Sequence, residues 1–284
     1  IMTDQERRSI SDLIKLALIE DLGDGDHTSL ATISDNAIGK VKLIAKDTGV
    51  VAGVEVAAMV FQQVDENLKV EILIEDGNQI SPGDLVMTIE GSSRSILSAE
   101  RTALNFIQRM SGIATFTNTI YNSISDLNTK LLDTRKTTPN NRVVEKLAVR
   151  LGGGTNHRFG LYDMIMIKDN HVDFAGGINN AINSTKRYLE TEQKDLKIEI
   201  EVRNFDELNE VIDNGKVDRI MLDNFTPAQL RKAIELINKR FETEASGGIT
   251  LDSIRDYALT GVDFISVGAL THQINSLDLS LVTV

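Results

Sequence analysis

The chain has 284 residues, of which 41% are hydrophobic and 25% are charged, and its formal net charge is −12. This acidity argues against nucleic acid as the main partner, because duplex binding needs an extended basic surface, and no apolar run approaches the ~20 residues of a membrane span. The lack of cysteine excludes disulfides, a thiol nucleophile and thiolate metal sites. The N-terminal IMTDQERRSI shows no secretory signal, so we expect a cytoplasmic protein.

The first hundred residues predict a small α+β domain. Apolar residues at helical spacing over 4–20 predict a helix, and a turn-rich acidic stretch follows it. The next strand-like runs, which surround a predicted helix at 55–63, are 39–45, 50–54, 70–74 and 85–89. A long helix is predicted over about 95–124, with a break near Ser111-Gly112.

From residue 130 the pattern changes to alternating strands and helices. The predicted strands are Lys130–Asp133, Met164–Ile167, Ile198–Val202, Arg219–Leu222, Glu242–Ala245 and Phe264–Val267, and the predicted helices are 178–191, 205–214, 227–240 and 250–259. This alternation favours a parallel sheet, curled into a barrel or partial barrel. We predict an α/β protein with an N-terminal α+β domain (1–110) and an incomplete TIM-like barrel (111–272). The tail, 273–284, is a candidate to pack with the first domain.

Charged or glycine-containing segments follow each predicted strand of the second half. They are Thr134-Arg135-Lys136, Lys168-Asp169-Asn170-His171, Glu201, Asp223-Asn224, Ser246-Gly247-Gly248 and Gly268-Ala269-Leu270. Because the carboxyl ends of barrel strands converge on one face, these residues are expected to form one site.

The expected site holds two kinds of charge. Arginine and lysine side chains, together with backbone N–H groups in the glycine-rich segments, suit carboxylates and phosphates. Glu201 and Asp223 are of the opposite kind, and neighbouring cations are expected to keep them ionised. Such acids suit ribose hydroxyls, Mg²⁺ or a developing cation. The sequence therefore predicts a polyanionic substrate with a sugar-like or metal-bearing centre.

The cationic stretch 134–158 contains further basic residues. Arg142, Lys146 and Arg150 recur at helical spacing, and we expect them to lie on a solvated helix face.

Several motifs resemble the quinolinate phosphoribosyltransferase family. They are EDLGDGDHT (20–28), SAERTALNFIQRMSGIAT (98–115), DTRKTTP (133–139), AVRLGGGTNHRFGLYDMIMIKDNH (148–171), LDNF (222–225), ASGGI (245–249) and VGALTH (267–272). The resemblance implies transfer of phosphoribosyl from 5-phosphoribosyl 1-diphosphate to quinolinate, with Mg²⁺, giving nicotinate mononucleotide, diphosphate and CO₂. It also implies a homodimer with a site shared between subunits, and leaves open whether dimers assemble further.

The resemblance assigns roles to individual residues. Arg135, Arg158 and Lys168, with His157 beside them, would hold the two carboxylates of quinolinate, and Arg101 is similar to an arginine inserted from the neighbouring subunit. Lys136 would touch the phosphates of the donor, while Glu201 and Asp223 would meet ribose and, through the donor, Mg²⁺. The expected substrate-binding set is completed by Thr134, Ser246, Gly247, Gly248, Gly268, Ala269, Leu270 and His272. The expected catalytic residues are Lys136, Lys168, Glu201 and Asp223.

One position departs from the family pattern. The family commonly has glycine after the proline of TTP, where this chain has Asn140. Asparagine tolerates left-handed backbone geometry, so the turn is expected to be kept.

Two other functions compete with this one. A related phosphoribosyltransferase could act on another base such as nicotinate, but the crowding of Arg135, Arg158 and Lys168 favours a dicarboxylate. A non-catalytic phosphosugar-binding barrel is the second, and Glu201 and Asp223 count against it because an anion receptor gains nothing from acids in its pocket.

Overall fold

The computed structural model describes residues 2–284, and the chain forms two compact units. Unit 1 comprises the segment up to Thr119 with 137–153 and 269–284, and unit 2 comprises 120–136 and 154–268. The helices are α1 (Asp4–Leu22), α2 (His27–Thr32), α3 (Val54–Val64), α4 (Ser93–Asn122), α5 (Arg142–Leu151), α6 (Asp169–Ala175), α7 (Ile178–Thr191), α8 (Phe205–Asn214), α9 (Pro227–Ile237), α10 (Ile254–Ala258) and α11 (Ala269–His272). The strands are β1 (Ile38–Ala45), β2 (Gly49–Val50), β3 (Lys69–Ile72), β4 (Gln79–Ile80), β5 (Leu85–Ser92), β6 (Lys130–Leu132), β7 (Ile165–Ile167), β8 (Ile198–Val202), β9 (Arg219–Asp223), β10 (Glu242–Ser246), β11 (Phe264–Ser266) and β12 (Leu279–Thr283).

Unit 1 is built on an antiparallel sheet in the order β12-β1-β5-β3. The tail enters this sheet because β12 pairs with β1. Helix α1 starts at a capping box, in which Thr3 and Glu6 satisfy each other's backbone N–H groups. Its buried residues, Ile10, Ile14 and Leu18, recur every four positions, so one face of the helix packs against the rest of the unit.

Helix α4 runs from Ser93 to Asn122 without interruption, so the predicted break near Ser111-Gly112 is wrong. The small residues serve close packing instead. The fully buried Ser111 hydroxyl accepts from the N–H of Ala52 and donates to its carbonyl. A Cβ at Gly112 would clash with the carbonyl of Asn275, so glycine lets this segment lie directly against the helix.

Helix α5 does not carry the solvated basic face that its spacing predicts. Lys146 is buried, and Arg150 forms a bidentate pair with Glu6 of α1. The neighbouring Glu145 is fully buried and accepts two hydrogen bonds from Arg109. The basic residues of this helix therefore contribute to packing within unit 1.

Unit 2 is a parallel sheet in the order β6-β11-β10-β9-β8-β7, with α6 to α10 between its strands along the chain. The segment after Gly154 lies along the free side of β6, where Thr155 exchanges backbone hydrogen bonds with Leu131 and Asp133. The predicted α/β architecture with a parallel sheet is confirmed. Within residues 2–284, no helix combines the length and the hydropathy of a membrane span.

Candidate active site

The carboxyl ends of the unit 2 strands carry the predicted site residues of that unit. Since neighbouring strands are parallel and in register, their ends lie at the same edge of the sheet. Along that edge, in sheet order, lie Thr134–Lys136, Gly268, Ser246–Gly248, Asp223, Glu201 and Lys168. This is the face on which parallel α/β folds place their ligands.

Asp133, at the end of β6, positions the segment that carries His157 and Arg158. Its fully buried carboxylate accepts from the Asn156 side chain at 2.6 Å and from the His157 N–H at 2.7 Å. The Arg158 guanidinium then donates to the carbonyl of Met164, next to β7. The segment thus connects the two edge strands and places Arg158 beside Arg135.

The two guanidinium groups repel each other. Burial lowers the pKa of Arg158, and the nearby charge of Arg135 lowers it further. In addition, the Nε of Arg135 is buried and has no hydrogen-bond partner among residues 2–284. Because a buried donor without a partner is costly, this pair fits a planar dianion that accepts from both arginines.

Three carboxylates gather on the other side of the site. Burial raises the pKa of Glu201, and the charges of Asp223 and Asp169 raise it further, while Lys168 opposes them. The pKa of Asp223 is likewise raised by burial and by Asp169. The sequence predicts that neighbouring cations keep these acids ionised, but burial and the neighbouring acids have the larger effect on their pKa values. A group of acids that repel one another is an all-oxygen donor set, which fits Mg²⁺ carried by a phosphorylated substrate.

The loops after β9 and β10 pack directly against each other. Asn224 has left-handed geometry, with φ of 57°, and its side-chain amide donates to Asp223 at 2.8 Å. Its backbone N–H donates to the carbonyl of Ser246. A Cβ at Gly247, where φ is +103°, would clash with the Asn224 side chain. Asn224 therefore orients the Asp223 carboxylate and requires glycine in the next loop.

Four predicted residues belong to unit 1, and they are described within it. Arg101 is exposed on α4, and Ala269, Leu270 and His272 form α11. Arg109 donates to the carbonyl of Thr271 in that short helix. In the same unit, Asn140 has φ of 66°, which confirms that the turn after TTP keeps its left-handed residue.

The residue roles assigned from the sequence leave out several positioning residues. Asp133 and Asn224 bond to site residues, Asp163 accepts from the N–H of Phe159 next to Arg158, and Asp169 adds charge beside Glu201. In the sequence, the signal that could have identified them is their position next to predicted site residues. Glu199 and Glu244 carried a further signal, because each lies two residues before a predicted site residue of its strand, Glu201 or Ser246.

Two family models match almost the whole chain. The model described as "Quinolinate phosphoribosyl transferase, N-terminal domain" matches residues 26–111, and the one described as "Quinolinate phosphoribosyl transferase, C-terminal domain" matches residues 113–282. The chain belongs to the quinolinate phosphoribosyltransferase family. The resemblance inferred from the motifs is therefore confirmed.

Members of this family with curated names include a rice and a Bacillus subtilis protein. The rice "Nicotinate-nucleotide pyrophosphorylase [carboxylating], chloroplastic" is 46% identical over 95% of this chain and 76% of its own length. The Bacillus subtilis "Probable nicotinate-nucleotide pyrophosphorylase [carboxylating]" is 41% identical over 95% of this chain and 91% of its own.

Solved structures of the family have the same fold. The nicotinate-nucleotide pyrophosphorylase of Francisella tularensis matches with a TM-score of 0.91 at 40% identity, covering 98% of this chain and 96% of that one. Human nicotinic acid phosphoribosyltransferase matches with a TM-score of 0.62 at 10% identity, covering 91% and 72%. At that identity, the second match shows a shared fold and nothing about the base.

Proposed function

We propose that the protein transfers phosphoribosyl from 5-phosphoribosyl 1-diphosphate to quinolinate and releases CO₂, forming nicotinate mononucleotide and diphosphate. The observation that carries this is the Arg135–Arg158 pair, with a buried donor that lacks a partner. Quinolinate is a flat pyridine with adjacent carboxylates, and two converging guanidinium groups can bind both of them. Family membership and the names of the curated relatives support the same reaction.

The donor would lie along the remaining strand ends. Lys136 supplies a point charge for its phosphates, and Ser246, Gly247, Gly248 and Gly268 offer backbone N–H groups, with Ala269 and Leu270 continuing that segment. Glu201 and Asp223 would hold the ribose hydroxyls and, through the donor, Mg²⁺. When bound, Mg²⁺ would neutralise charge on the diphosphate.

Positioning and electrostatics account for the first chemical step. The pyridine nitrogen attacks the anomeric carbon, the N–C bond forms, and the C–O bond to diphosphate breaks with its electron pair on the leaving oxygen. The transition state resembles an oxocarbenium ion. Glu201 and Asp223 stabilise its positive charge, Lys136 stabilises the departing diphosphate, and Lys168 holds quinolinate for the attack.

The second step follows from the charge on the ring. A quaternary pyridinium nitrogen accepts the electron pair left when the adjacent carboxylate departs as CO₂. A proton from water then replaces the carboxylate on the ring carbon. No covalent enzyme intermediate is formed, so the chain needs no thiol nucleophile.

The site is completed in a homodimer. Arg101 is exposed on α4, and we assign it to the quinolinate pocket of the partner subunit, as the family resemblance implies. His272 lies close to the phosphate-binding segment along the chain. We also propose a cytoplasmic location. The name of the rice relative places that protein in the chloroplast, so imaging of a fluorescent fusion in the native cell tests this.

A product assay separates this proposal from its competitors. Purified protein with Mg²⁺ and 5-phosphoribosyl 1-diphosphate is supplied with quinolinate or with nicotinate, and nicotinate mononucleotide is quantified. We expect product from quinolinate only. Turnover of nicotinate would favour the related phosphoribosyltransferase, and calorimetric binding of the donor without any turnover would favour the phosphosugar-binding barrel.

A further inference from the structure

A buried polar cluster lies one layer beneath the active site of unit 2. Side chains two residues apart on a strand share a face and are separated by about 6.6 Å. Glu199 therefore lies below Glu201 on β8, and Glu244 lies below Ser246 on β10. Both glutamates are fully buried. Burial of a carboxylate is costly unless neighbouring groups stabilise it, so these residues are expected to have a structural or functional role.

The two glutamates converge on the ring of His157. The Nε2 atom of His157 is 3.1 Å from Glu199 Oε2 and 3.1 Å from Glu244 Oε2. The other ring nitrogen, Nδ1, accepts the backbone N–H of Arg158 at 2.7 Å. Both ring nitrogens are thus engaged inside the protein, and the ring is almost inaccessible to solvent.

Arg219 supplies the positive charge of the cluster. On β9 it lies between Glu199 of β8 and Glu242 of β10. Its Nη1 is 3.5 Å from Glu244 and 3.8 Å from Glu199, and its guanidinium stacks on Phe264 at 3.9 Å. The histidine and the two glutamates have the composition of a metal site, but a guanidinium already lies beside both carboxylates.

Two influences act on the protonation of His157. Burial lowers its pKa, whereas the carboxylates of Glu244, which is hydrogen-bonded to Nε2, and of nearby Glu199 raise it. The Arg158 N–H opposes a second ring proton, since an imidazolium would direct one N–H at another across 2.7 Å. Because Nδ1 accepts this N–H, it carries no proton, and the ring is neutral with its one proton on Nε2.

We propose that Glu199 and Glu244 are positioning residues of the active site that act through His157. They hold the ring by Nε2, so that Nδ1 fixes the backbone of Arg158 and hence the origin of its side chain. Arg219 offsets part of their negative charge. His157 therefore affects quinolinate binding by positioning Arg158, and it makes no hydrogen bond of its own to the substrate. This inference rests on the proposed function, since it assigns Arg158 to quinolinate.

Nitrogen-15 NMR of the wild-type protein tests the placement without using activity. The chain has four histidines, and comparison with His157→Asn assigns the signal of interest. We expect one ring proton at neutral pH, on Nε2. A doubly protonated ring, or a proton on Nδ1, would remove the contact with Arg158 and overturn the inference.

Kinetics of Glu199→Gln and Glu244→Gln test the consequence for substrate. We expect KM for quinolinate to rise by about tenfold, as for loss of one charge-assisted contact, with KM for the donor little changed. Glu242→Gln is the matched control, because Glu242 contacts Arg219 and Lys197 on the same strand as Glu244. It should leave the quinolinate KM unchanged. Equal increases in both KM values, or no increase in either, would contradict positioning.

Two substitutions of the histidine distinguish its nitrogens. The carbonyl of His157→Asn can still accept near the Nδ1 position, whereas His157→Gln places its amide near Nε2. We expect the asparagine variant to keep the lower KM for quinolinate, and the reverse order would contradict the inference. Wild-type turnover is measured in the same assay. If the wild-type protein shows no reaction, the result contradicts the proposed function and not the positioning role of the glutamates.

Discussion

At the scale of single residues, the account depends on two arginines brought together from separate segments. Arg135 follows β6 and Arg158 precedes β7, and their proximity is held by Asp133 and Met164. Motif recognition identified both arginines in the sequence. It could not show that the Nε of Arg135 is buried without a hydrogen-bond partner, because burial depends on how the side chain packs in the folded protein.

Substitution of these arginines tests the quinolinate pocket. Each charge-assisted contact contributes ~1.5–3 kcal/mol, so Arg135→Ala and Arg158→Ala should each lower kcat/KM for quinolinate by about tenfold to a few hundredfold. Arg187→Ala is the control, because this exposed arginine of α7 donates to Ser184 of its own helix. Near wild-type kinetics for Arg135→Ala would remove that residue from the site.

At the scale of elements, several helices and strands of unit 2 match their predicted bounds. Strand β8 and helices α7 and α8 coincide with prediction, because their apolar periodicity is uninterrupted. The break predicted in α4 is wrong, since glycine there serves close packing instead of ending the helix. The buried state of Lys146 also depends on tertiary packing, which spacing along one helix does not reveal.

Gly112→Ala tests the packing of α4. Helix propensity alone predicts that alanine stabilises by about 1 kcal/mol. The clash with the carbonyl of Asn275 predicts the opposite sign, a loss of about 1–3 kcal/mol in the free energy of unfolding. Thr119→Ala, at an exposed position of the same helix, should change stability by less than about 0.5 kcal/mol in denaturant titrations. A more stable Gly112→Ala protein would show that the segment at Asn275 does not pack against the helix.

The Glu6–Arg150 pair predicts a pH-dependent contribution to stability. Burial alone would raise the pKa of Glu6, but hydrogen bonds from Arg150 and from the Thr3 N–H outweigh it and hold the pKa below its usual range. The ionised form therefore stabilises the fold above the unfolded pKa, and this contribution is lost as the pH falls through the folded pKa.

Glu6→Gln isolates the charge of this pair, because glutamine can still complete the capping box with Thr3. We expect a loss of about 1 kcal/mol at neutral pH, fading at pH values well below about 4. Asp12→Ala, an exposed acid of α1, is the control. A difference between wild type and Glu6→Gln that persists unchanged in acid would show that the charge is not responsible.

At the scale of the whole molecule, the proposal requires two chains for each site. If Arg101 of one subunit completes the pocket that contains Arg158 of the other, Arg101→Ala and Arg158→Ala proteins should each keep about a tenth of wild-type kcat/KM or less when expressed alone. Random coexpression makes half of the dimers mixed, and each mixed dimer has one intact site, so about a quarter of wild-type activity should return. No recovery in mixed dimers verified by mass would place Arg101 outside a shared site.

The most direct test of the whole account is the stoichiometry of the reaction with quinolinate labelled in the carboxylate next to the ring nitrogen. With 5-phosphoribosyl 1-diphosphate and Mg²⁺, the account predicts one labelled CO₂ for each diphosphate, and no CO₂ when the donor is left out. Diphosphate release without CO₂, or CO₂ release without the donor, would contradict it.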